Sequence, residues 1–284
     1  MKKDLRNTTF IIPLKIESTD RLRNAITICC FLLKTFDTQV LVKEQNTDSV
    51  FENQALPQIT EFLEGDVGNL KYFYEKENDH SFFHKTRYFN ELLSKVNTPV
   101  VSAYDIDVLL PISSYLKSQE MIMDDGYDLV YPFPLIKPED DIPENRMCKQ
   151  VFTDDTLVSN FLSEFDFSIF DSVSATARTQ WGHVQFFKTS SYIQGGMENE
   201  NFQGSSPEDK ERIYRFEKLG YNVGRIDKLI YHLEHSRGIN SWPNSYTGNP
   251  HMERNLQLWE DLQKLSPDGL RNYYSNQKYL KKYT

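Results

Sequence analysis

The sequence predicts an α/β protein in which a mostly parallel central sheet is flanked by helices. An apolar run at residues 10–14 is followed by an amphipathic segment at 18–36 and a second apolar run at 40–42. Strand, helix and strand within about 35 residues form a βαβ unit, whose two strands are parallel. A later apolar run at 99–104 ends in acidic residues, and ligands bind at the carboxyl ends of strands in such sheets.

The other elements follow from hydrophobic spacing and turn residues. Further strands are predicted at residues 70–74, 129–131, 182–187, 223–226 and 229–232, and helices at 83–96, 155–170, 207–219 and 251–277. Ser18 is the expected N-cap of the helix at 18–36, and Pro207 and Gly220 mark the first turn and the end of the helix at 207–219. Residues 44–68 are expected to be irregular, and the acidic stretch at 139–144 an exposed loop.

Composition limits the class of protein. Apolar residues make up 39% of the chain and aromatics 13%, which is enough for a packed core. A net charge of −9 disfavours general binding to nucleic acid or to an anionic membrane. Cys29, Cys30 and Cys148 are an odd number and form no disulfide framework. With no signal-peptide pattern and no apolar run of 18 residues, we predict a soluble cytoplasmic protein.

Two groups of residues carry side chains that bind divalent metals. Asp105 and Asp107 form an Asp-X-Asp sequence after a predicted strand, and paired carboxylates repel each other unless a cation such as Mg²⁺ or Mn²⁺ neutralises them. His232 and His235 lie at the end of another strand, where a bend would be needed to bring both to one ion. The alternatives are solvated loop acids and, for the histidines, core packing and a local hydrogen bond.

Two predicted helix starts are further candidates. Glu208 and Asp209 lie in a first turn, where one of them can act as a general base or where both simply stabilise the helix dipole. Residues 83–90 combine aromatic and basic side chains, which suit a nucleotide base and phosphates but also suit an ordinary amphipathic helix.

Together these segments resemble the GT-A glycosyltransferases, and within the wider family-2 type the β-1,4-galactosyltransferase-like group. The resemblance covers most of residues 8–240, and its last stretch is the most specific. The stretches are Phe10-Ile-Ile-Pro-Leu-Lys15 (opening strand), Phe83-His-Lys-Thr-Arg-Tyr-Phe-Asn90 (nucleotide helix), Ser102-Ala-Tyr-Asp-Ile-Asp-Val-Leu-Leu-Pro111 (metal-binding strand end) and the segment from Glu200 to Gly238 (galactosyltransferase carboxy-terminal motif).

The resemblance implies a role for each matching residue. Asp107 and His235 are metal ligands, and His232 stands where relatives have a Met or His ligand. Asp209 is the catalytic base, and Glu208 helps to bind the donor sugar or the acceptor. The donor-site residues implied in the same way are Pro13, Lys15, Phe83 and Lys85 for the nucleotide, Asp105 for the ribose and metal, and Gly182 on the donor side.

The resemblance also implies an activity: inverting transfer of a hexose from a UDP-sugar, with Mn²⁺ or Mg²⁺, to a hydroxyl of a glycan. Galactose, N-acetylgalactosamine and glucose are the candidate sugars, and a surface polysaccharide or a lipid-linked glycan is the expected acceptor. Peripheral membrane association would come only through that acceptor. Residues 1–284 would be one GT-A domain, with a nucleotide-binding half at 8–112, a donor-sugar and acceptor half at 113–240 and a helical extension at 241–284.

Two departures from the family pattern leave alternatives open. Gly204-Ser-Ser-Pro207 replaces a Gly-Trp-Gly-Gly segment, so the aromatic platform for the acceptor sugar is missing. Lys85 replaces an arginine, which keeps the charge but loses bidentate geometry. A non-catalytic nucleotide- or glycan-binding relative is therefore the alternative. A nucleotidyltransferase would need a Gly-rich phosphate loop that residues 14–18 lack. Trp242 and Trp259 are expected to pack rather than to line an acceptor groove.

Overall fold

The protein is an α/β structure built on two sheets. The structure, a computed structural model, describes residues 1–77, 82–135, 148–177, 181–204, 207–238, 241 and 244–283. Its strands are β1 (Lys3–Leu14), β2 (Phe36–Asn46), β3 (Leu70–Lys76), β4 (Val100–Tyr104), β5 (Val108–Leu109), β6 (Leu129–Tyr131), β7 (Cys148–Val151), β8 (Ser174–Ala177), β9 (Val184–Lys188), β10 (Val223–Arg225) and β11 (Ile230–Leu233). Its helices are α1 (Thr19–Thr35), α2 (Leu56–Phe62), α3 (Lys85–Leu93), α4 (Ile112–Met123), α5 (Asp155–Glu164), α6 (Thr189–Gln194), α7 (Glu208–Lys218), α8 (Ser245–Gly248), α9 (Met252–Lys264) and α10 (Pro267–Ser275).

The central sheet has seven strands in the order β10-β6-β9-β4-β1-β2-β3. The pairs β1–β2, β1–β4, β2–β3 and β6–β10 are parallel, which confirms the predicted βαβ unit and the mostly parallel sheet. Strand β9 is antiparallel to both β4 and β6. Its amino-terminal end therefore lies beside the carboxyl end of β4, with Val184 opposite Tyr104.

Several predicted elements differ in their bounds. The segment at 44–68, predicted as irregular, contains a π-helical turn at Phe51–Ala55 that runs into α2. The helix predicted at 155–170 ends at Glu164, because Phe165 adopts a left-handed backbone with φ 53°, and a 3₁₀ turn follows at Phe167–Val173. The helix predicted to begin at residue 83 begins at Lys85. The predicted loop at 139–144 lies outside the described residues.

The helix caps agree in part with the sequence. Ser18 occupies the N-cap of α1, but its hydroxyl contacts Asp20 rather than a backbone N–H. Pro207 is the N-cap residue of α7, directly before its first turn, and Gly220 follows its end with φ 84°.

A second, four-stranded sheet has the order β5-β11-β7-β8. Strand β11 is antiparallel to β5, with His232 opposite Val108. The Leu233 N–H donates a hydrogen bond of 2.7 Å to the carbonyl oxygen of Asp107. This small sheet joins the acidic turn after β4 to a strand near the other end of the sequence.

Two buried tyrosines form hydrogen bonds with the segment that follows the acidic turn. The Tyr104 hydroxyl donates to the Val108 carbonyl at 2.5 Å and lies 2.6 Å from the Tyr115 hydroxyl. The Leu110 N–H donates to the same Tyr115 oxygen at 3.1 Å. Because both rings are fully buried, these hydrogen bonds have no competition from water.

The last helices pack behind α7. A second apolar cluster joins Phe202 and Leu219 to side chains of α9 and α10. Trp259 contacts Tyr214 edge to face, with ring centroids 5.2 Å apart, so it packs as expected, whereas Trp242 lies outside the described residues. No helix in the described part of the chain is long and apolar enough to cross a membrane.

We predict that Tyr115→Phe lowers the free energy of unfolding by about 1–3 kcal/mol, because it leaves the buried Leu110 N–H without an acceptor. Urea denaturation measures the change. Tyr246→Phe is the control, since that side chain is exposed. Equal unfolding midpoints for the two variants would contradict the proposed strength of this contact.

Candidate active site

A cleft of about 540 Å³ opens where β1 and β4 end and β9 begins. Parallel strands end at one edge of a sheet, so side chains that follow them converge there. Every site residue that the sequence predicted lines this cleft: Pro13, Lys15, Phe83, Lys85, Asp105, Asp107, Gly182, Glu208, Asp209, His232 and His235. The structure brings these residues together, and their individual roles stay predictions.

Asp107, His232 and His235 form one compact cluster. Their nearest ligand atoms all lie within 4.8 Å of one another. His235 Nε2 is 3.0 Å from Asp107 Oδ2, and His232 Nε2 is 3.7 Å from Asp107 Oδ1. Strand β11 ends at Leu233, so His235 lies beyond the strand, where the alternation of side chains between the two faces no longer applies.

The other nitrogen of each imidazole is already held. His235 Nδ1 lies 2.9 Å from the Ser236 carbonyl oxygen, which can only accept, so this nitrogen carries the proton. His232 Nδ1 lies 2.8 Å from Glu234, whose carboxylate also binds Arg237 at 2.6 Å. Both Nε2 atoms therefore face Asp107, as in protein sites where second-shell partners orient metal-binding histidines. A carboxylate with two oriented imidazoles fits a divalent cation such as Mn²⁺.

Charges within this cluster reinforce one another. Burial alone would raise the pKa of Asp107, but the two histidines outweigh burial and lower it well below its usual range. Burial would lower the pKa of His232, yet Asp107 and Glu234 raise it. Burial opposes ionisation of Glu234 as well, but His232 and Arg237 lower its pKa to about 2. The cluster thus favours an ionised carboxylate and a positive charge beside it.

Lys85 forms an ion pair with one carboxylate of the cleft, that of Asp105. Its Nζ lies 2.8 Å from Asp105 Oδ1. Burial and the neighbouring Asp107 and Asp209 raise the pKa of Asp105, although Lys85 opposes them. Burial would lower the pKa of Lys85, but the surrounding carboxylates raise it. Lys85 is therefore a fixed cation at the first turn of α3.

Glu208 and Asp209 occupy the first turn of α7 in opposite electrostatic environments. Burial, followed by the adjacent Asp209, raises the pKa of Glu208 to about 8. The Glu208 Oε2 atom is buried and has no hydrogen-bond partner among the described residues. Burial would also raise the pKa of Asp209, but Lys85 and Arg212 lower it. At neutral pH, Glu208 is largely protonated and Asp209 is a carboxylate.

Gly182 makes room for that carboxylate. A Cβ atom at this position would lie 3.0 Å from Asp209 Oδ2, which is tighter than ordinary packing. Its neighbour His183 has φ 74°, a left-handed backbone that is uncommon for a residue with a side chain. The His183 carbonyl accepts the Asp105 N–H at 2.9 Å, which ties this strained turn to the acidic strand end.

Two of the residues predicted to bind the nucleotide, Lys15 and Phe83, have partners within the protein. Lys15 is ion-paired with Glu77 at 2.5 Å and lies 3.6 Å from Glu17, so its charge is already neutralised. The Phe83 ring packs against Tyr88 with centroids 5.6 Å apart. Pro13 lies at the carboxyl end of β1.

Other residues of the site were missed by sequence reasoning. His183 lines the cleft next to the predicted Gly182, and Arg21 and Arg237 line the same cleft. Arg212 lies behind the cleft and contacts Asp209 directly, and Glu198 in turn forms an ion pair with Arg212. Three of these residues had a local signal in the sequence: His183 directly follows a predicted site glycine, Arg212 lies one helical turn after Asp209, and Arg237 lies two residues after His235. Arg21 and Glu198 depend on contacts between segments that are farther apart in the sequence.

Comparisons with known proteins identify the fold. No family model matches the sequence, and neither does any curated protein. The chain is similar to the mannosyltransferase PcManGT from Pyrobaculum calidifontis in complex with GDP-Man and Mn²⁺, with a TM-score of 0.56 and 13% identity over 96% of this chain and 69% of that one. It is also similar to GalNAc-T7 with UDP, GalNAc and Mn²⁺, with a TM-score of 0.57 and 13% identity over 97% of this chain.

The chain spans about half of the GalNAc-T7 chain, 53% of its length. At such low identity the likeness defines the architecture alone. The mostly parallel sheet flanked by helices is the GT-A fold, which confirms the fold expected from the sequence.

The raised pKa of Glu208 gives a stability prediction. The unfolded chain ionises Glu208 near 4.5, whereas the folded protein keeps the proton until about pH 8. The folded state binds more protons between these values, so this group's contribution to stability is lost as the pH rises from about 4.5 to 8. Glu208→Gln carries no charge and should gain stability relative to the wild type over that interval.

Urea denaturation at pH 5 and pH 8 measures this difference. Glu217→Gln, on the exposed face of the same helix, is the control for removing a carboxylate from α7. A difference between Glu208→Gln and the wild type that stays constant from pH 5 to pH 8 would refute the raised pKa.

Proposed function

We propose that this protein is a divalent-metal-dependent glycosyltransferase that moves a hexose from a UDP-sugar to a glycan hydroxyl with inversion at the anomeric carbon. One observation carries the proposal: an Asp-His-His cluster and an acidic pair of opposite protonation share one cleft of a GT-A fold. The two similar structures contain Mn²⁺ with UDP or a GDP-sugar, which supports a metal and a nucleotide-sugar donor.

Asp107, His232 and His235 would hold the cation. When bound, Mn²⁺ or Mg²⁺ supplies positive charge that stabilises the diphosphate as it leaves. Lys85 adds a fixed cation nearby, held by Asp105. Phe83 and Pro13 offer apolar surfaces for the nucleotide on the same side of the cleft.

Asp209 would act as the general base. It is ionised at neutral pH and its side chain is 28% exposed, so an acceptor hydroxyl can reach it. The carboxylate takes the hydroxyl proton while the oxygen attacks the anomeric carbon and the bond to the diphosphate breaks. Attack opposite the leaving group inverts the configuration in one step.

Glu208 would bind a substrate hydroxyl. It is a protonated acid whose buried Oε2 atom has no partner in the described part of the chain, so it can both donate and accept a hydrogen bond. A buried polar atom without a partner is destabilising, and a sugar hydroxyl would satisfy it. The donor sugar would be galactose, N-acetylgalactosamine or glucose, and the acceptor a carbohydrate or lipid-linked glycan.

Asp209→Asn should lower kcat for sugar transfer by about 10²–10⁴-fold, because an amide cannot take the acceptor proton. Binding of UDP should be unchanged. Turnover with Mn²⁺ and a panel of UDP-sugars measures the first effect, and slow donor hydrolysis serves as readout until the acceptor is known. Asp261→Asn, on the exposed face of α9, is the control. Unchanged turnover in Asp209→Asn would remove the base assignment.

His235→Gln should weaken Mn²⁺ binding by more than about 100-fold, since even the outer partners of metal ligands contribute 10–100-fold. Titration calorimetry with Mn²⁺ alone measures this affinity. His251→Gln is the control, because His251 packs against Phe82 away from the cluster. A second measurement tests the same site, because Mn²⁺ should also tighten UDP binding. Equal UDP affinity in the presence of Mn²⁺ and in the presence of a chelator would contradict the metal site.

The non-catalytic alternative is tested in the same assays. Metal-dependent UDP binding without any transfer or hydrolysis across the donor panel would favour a nucleotide-binding relative. Within residues 204–207, Gly204 lines the cleft, whereas Ser205 and Ser206 lie outside the described residues.

A further inference from the structure

A buried arginine lies directly behind the proposed base. Arg212, one turn after Asp209 on α7, has a side chain only 1% exposed. Its Nε donates to Glu198 Oε1 at 2.7 Å and its Nη2 donates to Glu198 Oε2 at 2.9 Å. This bidentate pair holds the guanidinium in one orientation.

The remaining nitrogen of Arg212 joins two parts of the cleft. Nη1 donates to Asp209 Oδ1 at 3.0 Å and to Gln185 Oε1 at 2.8 Å. The Gln185 amide in turn donates to the carbonyl oxygens of Trp181 and Gly182, both at 2.9 Å. One guanidinium therefore connects the carboxylate to the turn that precedes β9.

We propose that Arg212 is a positioning residue that holds the Asp209 carboxylate in a fixed orientation against the turn at Trp181 and Gly182. The inference rests on the proposed function, in which Asp209 is the base. Nothing in the family resemblance assigns a role to Arg212 or to Glu198.

The geometry of Asp209 shows why such a tether matters. Arg212 binds Oδ1, and Oδ2 is the oxygen that lies against Gly182, a residue that lines the cleft. The fit at Gly182 is so close that a methyl group would touch Oδ2. A rotation of the carboxylate would turn Oδ2 away from Gly182, and the nearby Lys85 is a second cation that attracts the carboxylate.

The alternative is that Glu198 and Arg212 are only a structural ion pair. Helix α7 contains a matched pair that tests this. Arg215 is fully buried and its Nε donates to Glu211 at 2.9 Å, but its other nitrogens bind the carbonyl oxygens of Gly195 and Met197. This second pair has the same charges and burial, and it does not line the cleft.

The experiment compares two double variants. Glu198→Gln with Arg212→Met removes the first pair, and Glu211→Gln with Arg215→Met removes the second. Replacing both charges avoids leaving one ion buried and unpaired. We expect the first double variant to lower kcat on the order of 10²-fold with the donor KM little changed, as for a misplaced catalytic group. The second should change the melting temperature without changing kcat of the folded enzyme.

The pH profile provides a readout that a structural role would not move. The groups facing Asp209 are Lys85, Arg212, Glu208, Asp105, His183 and Tyr131. The first double variant removes only Arg212 from this set. Because a cation beside Asp209 is lost, the pKa of Asp209 should rise and the acid limb of the kcat/KM profile should move to higher pH. Carboxyl NMR of Asp209 measures the same pKa without turnover. The matched control should leave both unchanged.

Each outcome decides the question. Equal kcat losses in the two double variants, or no loss and no pKa change in the first, would overturn the positioning role. If the first double variant does not fold, Gln185→Met is tested instead, because it removes only the hydrogen bonds that link Arg212 to the turn at Trp181 and Gly182. This variant should lower kcat while the pKa of Asp209 stays the same. An unchanged kcat in Gln185→Met would overturn the positioning role. If the wild type has no turnover but the Asp209 pKa still rises in the first double variant, the proposed function fails and the tether remains.

Discussion

The antiparallel pairing of β5 with β11 is the contact on which the candidate site depends. It places the turn after β4 against a strand from the other half of the sequence, through the bond from the Leu233 N–H to the Asp107 carbonyl. Because His232 lies opposite Val108 in this register, a shift by one residue would turn its side chain to the other face. The geometry of the Asp107, His232 and His235 cluster is thus a consequence of strand register, which the hydrogen bonds of Tyr104 and Tyr115 to the Val108 carbonyl and the Leu110 N–H support.

The cleft concentrates carboxylates in a chain that is already acidic. Two fixed cations divide them into parts with different chemistry: Lys85 lies beside Asp105, and Arg212 lies beside Asp209. Among the described residues Glu208 has no cationic partner within hydrogen-bond distance, and burial raises its pKa so that it keeps its proton at neutral pH. The same environment therefore yields an ionised acid and a neutral one in adjacent positions, which is how paired carboxylates acquire separate roles.

Much of this arrangement could be predicted from the sequence, and the reasons are local. Apolar runs with helical spacing between them define the βαβ unit, and ligands bind at the carboxyl ends of parallel strands, which made Asp105 and Asp107 candidates. The place of Pro13 in the site was implied only by the family resemblance. The antiparallel direction of β9 has no comparable local signal, yet it decides that Gly182 lies beside β4. In the sequence, Arg212 and Glu198 cannot be distinguished from exposed charges of a helix and a loop, because their burial depends on tertiary contacts.

The C-terminal helices give α7 a rigid support on the side away from the cleft. The Tyr274 hydroxyl donates to Glu211 at 2.5 Å, and the Arg215 guanidinium lies 4.3 Å from the centre of the Tyr274 ring. The first turn of α7 faces the cleft while its following turns are fixed by this packing and by the Phe202 cluster. These contacts lie on the side of α7 away from the cleft, and among the described residues from 241 onward only Ser241 lines the cleft. The C-terminal helices therefore contribute to the stability of α7, whereas the orientation of the Asp209 carboxylate depends on Arg212.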